Sequence, residues 1–188
     1  MLKEPRPGRV KTRLARDIGA VRAAWWVRHQ TARLLRRLDD PRWDLVLSVA
    51  PDRAARDSRA WPAHLPRLAQ GPGDLGERMA RVFRALPPGP VCIVGGDIPG
   101  ITPAHVARAF AALGRHEAVF GPATDGGYWL VGLARTRLPA TLFHHVRWST
   151  EHALADSIAS LGGLSVARTD TLRDIDTLDD LMALHRAP

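Results

Sequence analysis

The stretch VCIVGGDIPGITP, residues 91–103, decides the fold class of this chain. Its apolar start predicts a buried parallel strand, and two glycines, one acid and a proline turn follow. Thr102 and Pro103 then predict the start of a helix, with Thr at the N-cap and Pro at the first helical position. Open α/β sheets bind ligands beyond the carboxyl ends of their strands. Asp97 is therefore a candidate ligand-binding acid, and Gly96 lets a ligand approach the backbone closely.

The remainder of the chain alternates strand-like apolar runs with helical periodicity, which is typical of an α/β protein. The longest predicted helix spans residues 20–38, and another spans residues 75–86 with Asp74 as its cap. The apolar residues expected to be buried in the first of these helices are Trp25, Trp26, Leu34, Leu35 and Leu38.

The composition is that of an ordinary globular protein, with 45% hydrophobic and 24% charged residues among 188. That length predicts a single domain over residues 1–188. No apolar run approaches the roughly 18 residues of a membrane helix, so we expect no membrane partner. The charged, proline-rich start does not resemble a signal peptide. The one cysteine, Cys92, lies inside an apolar run, and a buried reduced thiol fits the cytoplasm.

The formal net charge of +8 raises the question of nucleic-acid binding. The basic residues are nearly all arginine and are spread along the chain, and aromatic residues make up only 6%. We therefore expect no nucleic-acid partner. An excess of positive charge also suits a small polyanionic substrate such as a nucleotide.

A loop rich in proline, glycine and cations precedes the first long helix. Gly8 permits close backbone approach, while Arg9, Lys11 and Arg13 can pair with phosphate oxygens. The loop is not a P-loop, because the G-x-x-x-x-G-K-[ST] spacing is absent. A solvated basic loop explains the same residues equally well.

Three acidic segments are candidates for chemistry. Asp97 suits Mg²⁺, which takes hard oxygen ligands, although an aspartate that caps a turn is the alternative. Asp125-Gly126-Gly127 precedes a strand and could admit a ligand, but a hairpin turn is favoured there. Asp174 and Asp176 precede a helix whose Thr177 and Asp180 have capping-box spacing. Capping of the helix is favoured for this last segment, and a role as a second carboxylate ligand of the metal is the alternative.

Taken together and in order, six motifs resemble a transferase family. Its members are described as glycosyltransferase-like or radical-SAM/selenodomain-associated transferases, and they are similar to nucleotide-diphospho-sugar transferases of the GT-A type and to cofactor guanylyl- and cytidylyltransferases. The motifs are P-x-P-G-x-V-K-T-R-L (5–14), Q-G-x-G-D-L-G-E-R-M (70–79), G-x-D-x-P (95–99), G-P-A-x-D-G-G-Y (121–128), W-S-T (148–150) and D-x-D-T-x-x-D-L (174–181).

This resemblance implies a Rossmann-like GT-A fold, with a mostly parallel central sheet of about seven strands and helices on both faces. It also implies a Mg²⁺ or Mn²⁺ cofactor with Asp97 as its principal ligand and Asp176 as a second carboxylate. Lys11 and Arg13 would contact phosphates, and the loop at Asp125 would face the acceptor. The residues implied near the base and ribose are Gln70, Gly71, Gly73 and Asp74.

Two departures from the family pattern matter. Only residues 1–4 precede the cationic loop, so the first strand is expected to be truncated. The D-x-D of many sugar transferases is replaced by Gly95-Gly96-Asp97, which leans toward the nucleotidyltransferase pattern or toward a site with one strong carboxylate.

The sequence therefore predicts a Mg²⁺-dependent transferase that uses a nucleoside triphosphate or a nucleotide sugar and acts on a small-molecule acceptor. The alternative is a catalytically silent nucleotide-binding or partner-binding module with the same fold.

Overall fold

The computed structural model describes residues 1–186 of the chain. These residues form seven strands and seven helices. In chain order they are β1 (Leu2–Lys3), α1 (Thr12–Ile18), α2 (Ala20–Leu38), β2 (Leu47–Ala50), α3 (Ala54–Asp57), β3 (Arg67–Ala69), α4 (Leu75–Ala85), β4 (Val91–Val94), α5 (Pro103–Leu113), β5 (Ala118–Pro122), β6 (Tyr128–Leu133), α6 (Ala153–Ala159), β7 (Val166–Arg168) and α7 (Leu178–Arg186).

The chain divides into two compact units that interleave in sequence. The first comprises Met1–Ala69, Gly96–Pro99 and Asp174–Pro188, and the second comprises Gln70–Gly95 and Gly100–Arg173. The first holds a parallel sheet in the order β1-β2-β3, and the second holds a mixed sheet in the order β4-β6-β5-β7. The predicted α/β class is confirmed, while a single domain over the whole chain stays a prediction.

The prediction of a parallel strand at residues 91–94 is wrong in its direction. β4 pairs antiparallel with β6, and β6 is antiparallel to β5 as well. The short turn between β5 and β6 makes these two strands antiparallel. Helix α5 connects β4 to β5, which run in the same direction, and β6 lies between them and runs against both. Strand content can be read from an apolar run, whereas direction depends on the partner strand.

The first strand is short, as expected, yet it contributes to the core of the first unit. Leu2 and Lys3 pair with Val49 and Ala50 of β2, and the Glu4 amide donates to the Ala50 carbonyl at 2.7 Å. Leu2 is buried. The core cluster that it joins comprises Leu35, Leu47, Val49, Ala54, Trp61 and Leu65.

Helix α2 has the predicted bounds, and Leu34, Leu35 and Leu38 are buried as expected. The expectation for Trp25 is wrong, because this residue is 61% exposed. Its ring stacks on His29, one turn away, with centroids 3.8 Å apart. The run of apolar residues at positions 23–27 passes right around the helix, so part of it must face away from the core.

The second unit is organised around fully buried residues of β5 and β6, among them Phe120 and Trp129. The indole nitrogen of Trp129 donates to the Asp170 carbonyl at 2.8 Å, which satisfies the polar atom of that buried ring. Cys92 is a free thiol, and burial raises its pKa to about 12. Across residues 1–186 we find no helix both long enough and apolar enough to span a bilayer.

Candidate metal and phosphate site

Three aspartates of the first unit converge, and each is placed by a buried isoleucine beside it. Asp97 precedes Ile98, while Asp174 and Asp176 flank Ile175, and both isoleucines are less than 5% exposed. Anchoring the apolar neighbour leaves each carboxylate at the surface of the unit. One carboxylate oxygen from each aspartate lies within 4.8 Å of the others.

This cluster fits a hard divalent cation. Three carboxylate oxygens at such spacing can share one ion, and Mg²⁺ and Mn²⁺ both prefer oxygen ligands. Asp97 and Asp176 have side chains that are 48% and 36% exposed, which leaves room for water and for substrate oxygens on the same ion. We refer below to Asp97, Asp174 and Asp176 as the aspartate cluster.

The capping explanation accounts for a different acid of the last segment. Asp180 accepts the amides of Asp176 and Thr177 at 3.1 and 2.9 Å, and its own amide donates to the Thr177 hydroxyl at 3.2 Å. Asp180 therefore completes the start of α7, and the carboxylate of Asp176 is left for other contacts. Sequence reasoning favoured capping for the whole segment and so did not place Asp174 in the metal site.

Lys11 is the central cation of the site. Its Nζ donates to Asp97 at 2.8 Å and to Asp176 at 2.5 Å, and only 9% of its side chain is exposed. The buried neighbours Val10 and Leu14 hold the chain on either side of it. Lys11 adopts a left-handed backbone with φ of 44°, a conformation that costs a non-glycine residue free energy. The fold thus directs this ammonium into the aspartate cluster.

The pKa of Lys11 reflects two opposing causes. Burial alone would lower its pKa, but the charges and hydrogen bonds of Asp97 and Asp176 outweigh that effect and raise the pKa above its usual value. Lys11 is therefore charged at neutral pH, and its ammonium pairs with two of the three carboxylates of the aspartate cluster.

The other cations of the loop are more exposed. Arg13 approaches Asp176 at 3.4 Å with 69% of its side chain exposed, so this ion pair contributes little to stability. Gly8 and Arg9 also lie exposed in the loop before α1. The structure brings Lys11, Arg13, Asp97 and Asp176 together, with the two cations paired to the acids, and their contacts with phosphate stay a prediction.

Gly96 is required by close packing inside the first unit. A Cβ at this position would run into the Leu2 side chain, which is itself buried in the core. The glycine therefore lets the chain turn toward Asp97 directly against β1. Its proposed role in ligand approach stays a prediction.

Gly96→Ala is expected to lower the free energy of unfolding by about 1–3 kcal/mol, because the added methyl group overpacks the core at Leu2. Chemical denaturation measures this change. Gly100→Ala is the matched control, since a Cβ there meets nothing within 4 Å. Equal effects of the two substitutions would contradict this explanation of Gly96.

The residues implied for the base and ribose lie in the second unit and have structural roles there. Asp74 forms a capping box with Glu77 at the start of α4, in which the Glu77 amide donates to Asp74 at 2.9 Å. The carbonyl of the buried Gln70 accepts from Arg81, and Gly71 and Gly73 have positive φ angles. Nucleotide binding by these four residues stays a prediction.

Asp125 also belongs to the second unit, in the turn between β5 and β6. Its carboxylate accepts the Gly127 amide at 2.9 Å, which is the contact expected of an aspartate that closes a turn. The hairpin explanation thus accounts for its position. A catalytic role for Asp125 stays a prediction.

A family model covers most of the chain. The model described as "Uncharacterized protein conserved in bacteria (DUF2064)" matches residues 33–150, which is more than half of the sequence. The chain belongs to the DUF2064 family. Asp97 lies inside the matched range. A comparison with curated proteins found no match to this DUF2064 chain.

Solved structures share the fold of this DUF2064 protein. A protein from Desulfovibrio desulfuricans G20, described provisionally as a nucleotide-diphospho-sugar transferase, is 30% identical, with a TM-score of 0.83 over 98% of this chain and 84% of that one. The 4-diphosphocytidyl-2C-methyl-D-erythritol synthase of Anaerococcus prevotii DSM 20548 is 12% identical, with a TM-score of 0.55 over 85% and 89%. A homologue of Rv0371c from Mycobacterium sp. strain JC1 is 20% identical, with a TM-score of 0.54 over 84% and 80%.

These likenesses confirm the family resemblance and the fold class. The first structure matches 98% of this chain, which extends well beyond residues 33–150 of the family model. The more distant structures show the fold alone.

Proposed function

We propose that this protein is a divalent-metal-dependent transferase that uses a nucleoside triphosphate or a nucleotide sugar and passes a nucleotidyl or glycosyl group to a small-molecule acceptor. One observation supports the proposal most directly. Three carboxylates and the ammonium of Lys11 converge within one unit, in the fold of nucleotide-diphospho-sugar transferases.

Asp97, Asp174 and Asp176 would hold Mg²⁺ or Mn²⁺. When bound, the ion would supply positive charge that offsets the negative charge of the phosphates and of the leaving group. Carboxylates carry negative charge and accept hydrogen bonds, which suits a cation and repels a bare phosphate. A nucleotide would therefore bind together with its metal rather than before it.

Lys11 and Arg13 would stabilise the phosphates from the opposite side. The Lys11 ammonium bridges Asp97 and Asp176, so a metal at the same carboxylates competes with it. A Lys11 side chain released from these acids would retain its charge, because the ordinary pKa of a lysine ammonium lies well above neutral pH. A mobile ammonium next to the metal is suited to pair with developing negative charge on a phosphate oxygen.

Nucleotidyl and glycosyl transfer make the same demand on these groups. In the first reaction the bond between the α- and β-phosphates breaks, and in the second the bond between a sugar carbon and a phosphate oxygen breaks. Both leave negative charge on a departing phosphate, and neither requires a nucleophile from the protein. The proposal therefore covers nucleotidyl and glycosyl transfer, because the same arrangement of charged groups would serve either reaction.

The test is a melting-temperature screen of the full chain with nucleoside triphosphates and nucleotide sugars, each with and without Mg²⁺ or Mn²⁺. At a hundred times the dissociation constant, a ligand of the folded state adds about 2.7 kcal/mol. We expect this shift for at least one nucleotide, and only when the metal is present.

Turnover of the stabilising nucleotide with a panel of acceptors then separates the two forms of the proposal. Detected transfer supports the transferase. Metal-dependent binding that never leads to transfer favours the silent binding module, and the absence of any metal-dependent nucleotide shift contradicts the proposal.

A further inference from the structure

The positive charge of this protein is concentrated in one part of the chain. Residues 1–38 contain eleven Lys or Arg and two Asp or Glu, a formal net charge of +9, whereas the rest of the chain holds 16 basic and 17 acidic residues. The basic residues are spread along the whole sequence, but the acids that would balance them are scarce at the start. Such an asymmetry is typical of chains that bind a polyanionic surface.

Helix α2 presents four of these eleven basic residues on its exposed side. It contains five arginines and no acidic residue. At 100° per residue, Arg22, Arg33 and Arg36 lie along the middle of the exposed side, and Val21, Trp25 and Arg28 lie beside them toward one edge. Within the part of the chain described by the structure, the guanidinium groups of Arg22, Arg28, Arg33 and Arg36 have no protein partner. We call these six residues the α2 outer face.

The α2 outer face also exposes two large apolar side chains. Val21 is 71% exposed and Trp25 is 61% exposed, although the opposite side of the same helix is buried in the core. They are one turn apart, at the N-terminal end of a helix about 28 Å long. Exposed apolar side chains beside unpaired arginines are typical of a helix that lies in a membrane interface.

We propose that the α2 outer face docks on the surface of a lipid bilayer that carries anionic headgroups. The arginines would pair with headgroup phosphates, and Trp25 and Val21 would enter the boundary between headgroups and acyl chains. This inference goes beyond the proposed transferase activity and does not depend on it. The sequence alone led us to expect no membrane partner. The exposure of Trp25 on this arginine-rich face is the reason for proposing one.

A bilayer fits the α2 outer face better than a nucleic acid does. Single strands are held in grooves where bases stack on open aromatic faces. Trp25 lies on a convex helix, and its ring is stacked on His29. Val21 is aliphatic and gains nothing from contact with a phosphate backbone. A bilayer interface offers apolar surroundings for Val21 and Trp25 and phosphates for the arginines. A planar surface can also contact the full length of a straight helix.

The experiment is sedimentation of the full chain with vesicles of phosphatidylcholine alone or mixed with phosphatidylglycerol. We expect binding that requires phosphatidylglycerol and weakens with added salt. The triple substitution Arg28→Gln/Arg33→Gln/Arg36→Gln is expected to weaken vesicle binding by about a hundredfold. Val21→Ser/Trp25→Ser keeps the charge and is expected to weaken binding by about tenfold or more.

A matched control removes the same charge elsewhere. Arg59→Gln/Arg84→Gln/Arg115→Gln changes three exposed arginines outside residues 1–38 and should leave most of the vesicle binding intact. Vesicles with brominated acyl chains should quench wild-type tryptophan fluorescence, and Trp25→Phe should lose that quenching. Circular dichroism melting curves confirm that each variant is folded.

Several results would overturn the inference. These are no sedimentation with anionic vesicles, equal binding to both kinds of vesicle, equal losses in the two arginine triples, or quenching that survives Trp25→Phe. Binding to a single-stranded or duplex DNA that exceeds vesicle binding and is unaffected by Val21→Ser/Trp25→Ser would assign the α2 outer face to a nucleic acid instead.

Discussion

Asp97→Asn is expected to abolish the metal-dependent nucleotide shift in melting temperature. Asparagine keeps the shape of the side chain but loses the negative charge, so the affinity for a divalent cation should fall by at least about 100-fold. A wild-type shift of about 5–10 °C, which is the size expected of a saturating ligand for a chain of this length, should shrink to almost nothing. Differential scanning fluorimetry with Mg²⁺ or Mn²⁺ and the stabilising nucleotide measures it.

Asp17→Asn is the matched control for this experiment. Asp17 is an exposed aspartate of α1, in the same unit as Asp97 but outside the aspartate cluster. It should keep the full shift. If Asp97→Asn and Asp17→Asn respond alike, the metal is held elsewhere and the site described above is not the nucleotide site.

Lys11→Met is expected to affect metal and nucleotide in opposite directions. Without the ammonium, three carboxylates face one another, so the metal-free protein should lose about 1–3 kcal/mol of stability, a value discounted for the exposure of the acids. Mg²⁺ or Mn²⁺ alone should then bind more tightly than to the wild type, because no ammonium competes. The metal–nucleotide pair should bind more weakly, because a cation for the phosphates is gone.

Calorimetric titration of the metal alone, and then of the nucleotide at saturating metal, measures both effects. Arg16→Met removes one positive charge from α1 at an exposed position and should change neither affinity by more than about twofold. If metal affinity falls in Lys11→Met, then Lys11 does not compete with the ion for Asp97 and Asp176.

Much of the site could be predicted because local rules place its parts. An apolar run followed by glycines predicted where Asp97 emerges, and capping patterns predicted the starts of α4, α5 and α7, all of which the structure confirms. These features depend on neighbours within a few residues. They are therefore legible in a single sequence.

The missing parts depend on contacts far along the chain. Lys11 meets Asp97 and Asp176 across 86 and 165 residues, and no local pattern shows that a loop predicted to bind phosphate is paired with acids. Asp174 was not predicted as a metal ligand, because capping of the following helix already explained the acidic residues of its segment. Only the three-dimensional arrangement shows that Thr177 and Asp180 cap the helix between them, while Asp174 and Asp176 converge on Asp97.

Two further errors have the same origin. The apolar run of β4 does not encode its direction, which follows from its pairing with β6. Trp25 lies in a run that is apolar all round the helix, so periodicity cannot say which side meets the core. In each case the deciding partner is another element of the fold.

The most direct test of the central claim is a crystal structure of the wild-type protein soaked with Mn²⁺ and the stabilising nucleotide, with anomalous diffraction used to locate the metal. We predict an anomalous peak within about 2.0–2.3 Å of carboxylate oxygens of Asp97 and Asp176, with phosphate oxygens on the same ion and Nζ of Lys11 moved from the aspartates to a phosphate. A peak away from the aspartate cluster, or Lys11 still bridging Asp97 and Asp176 at saturating metal and nucleotide, would contradict it.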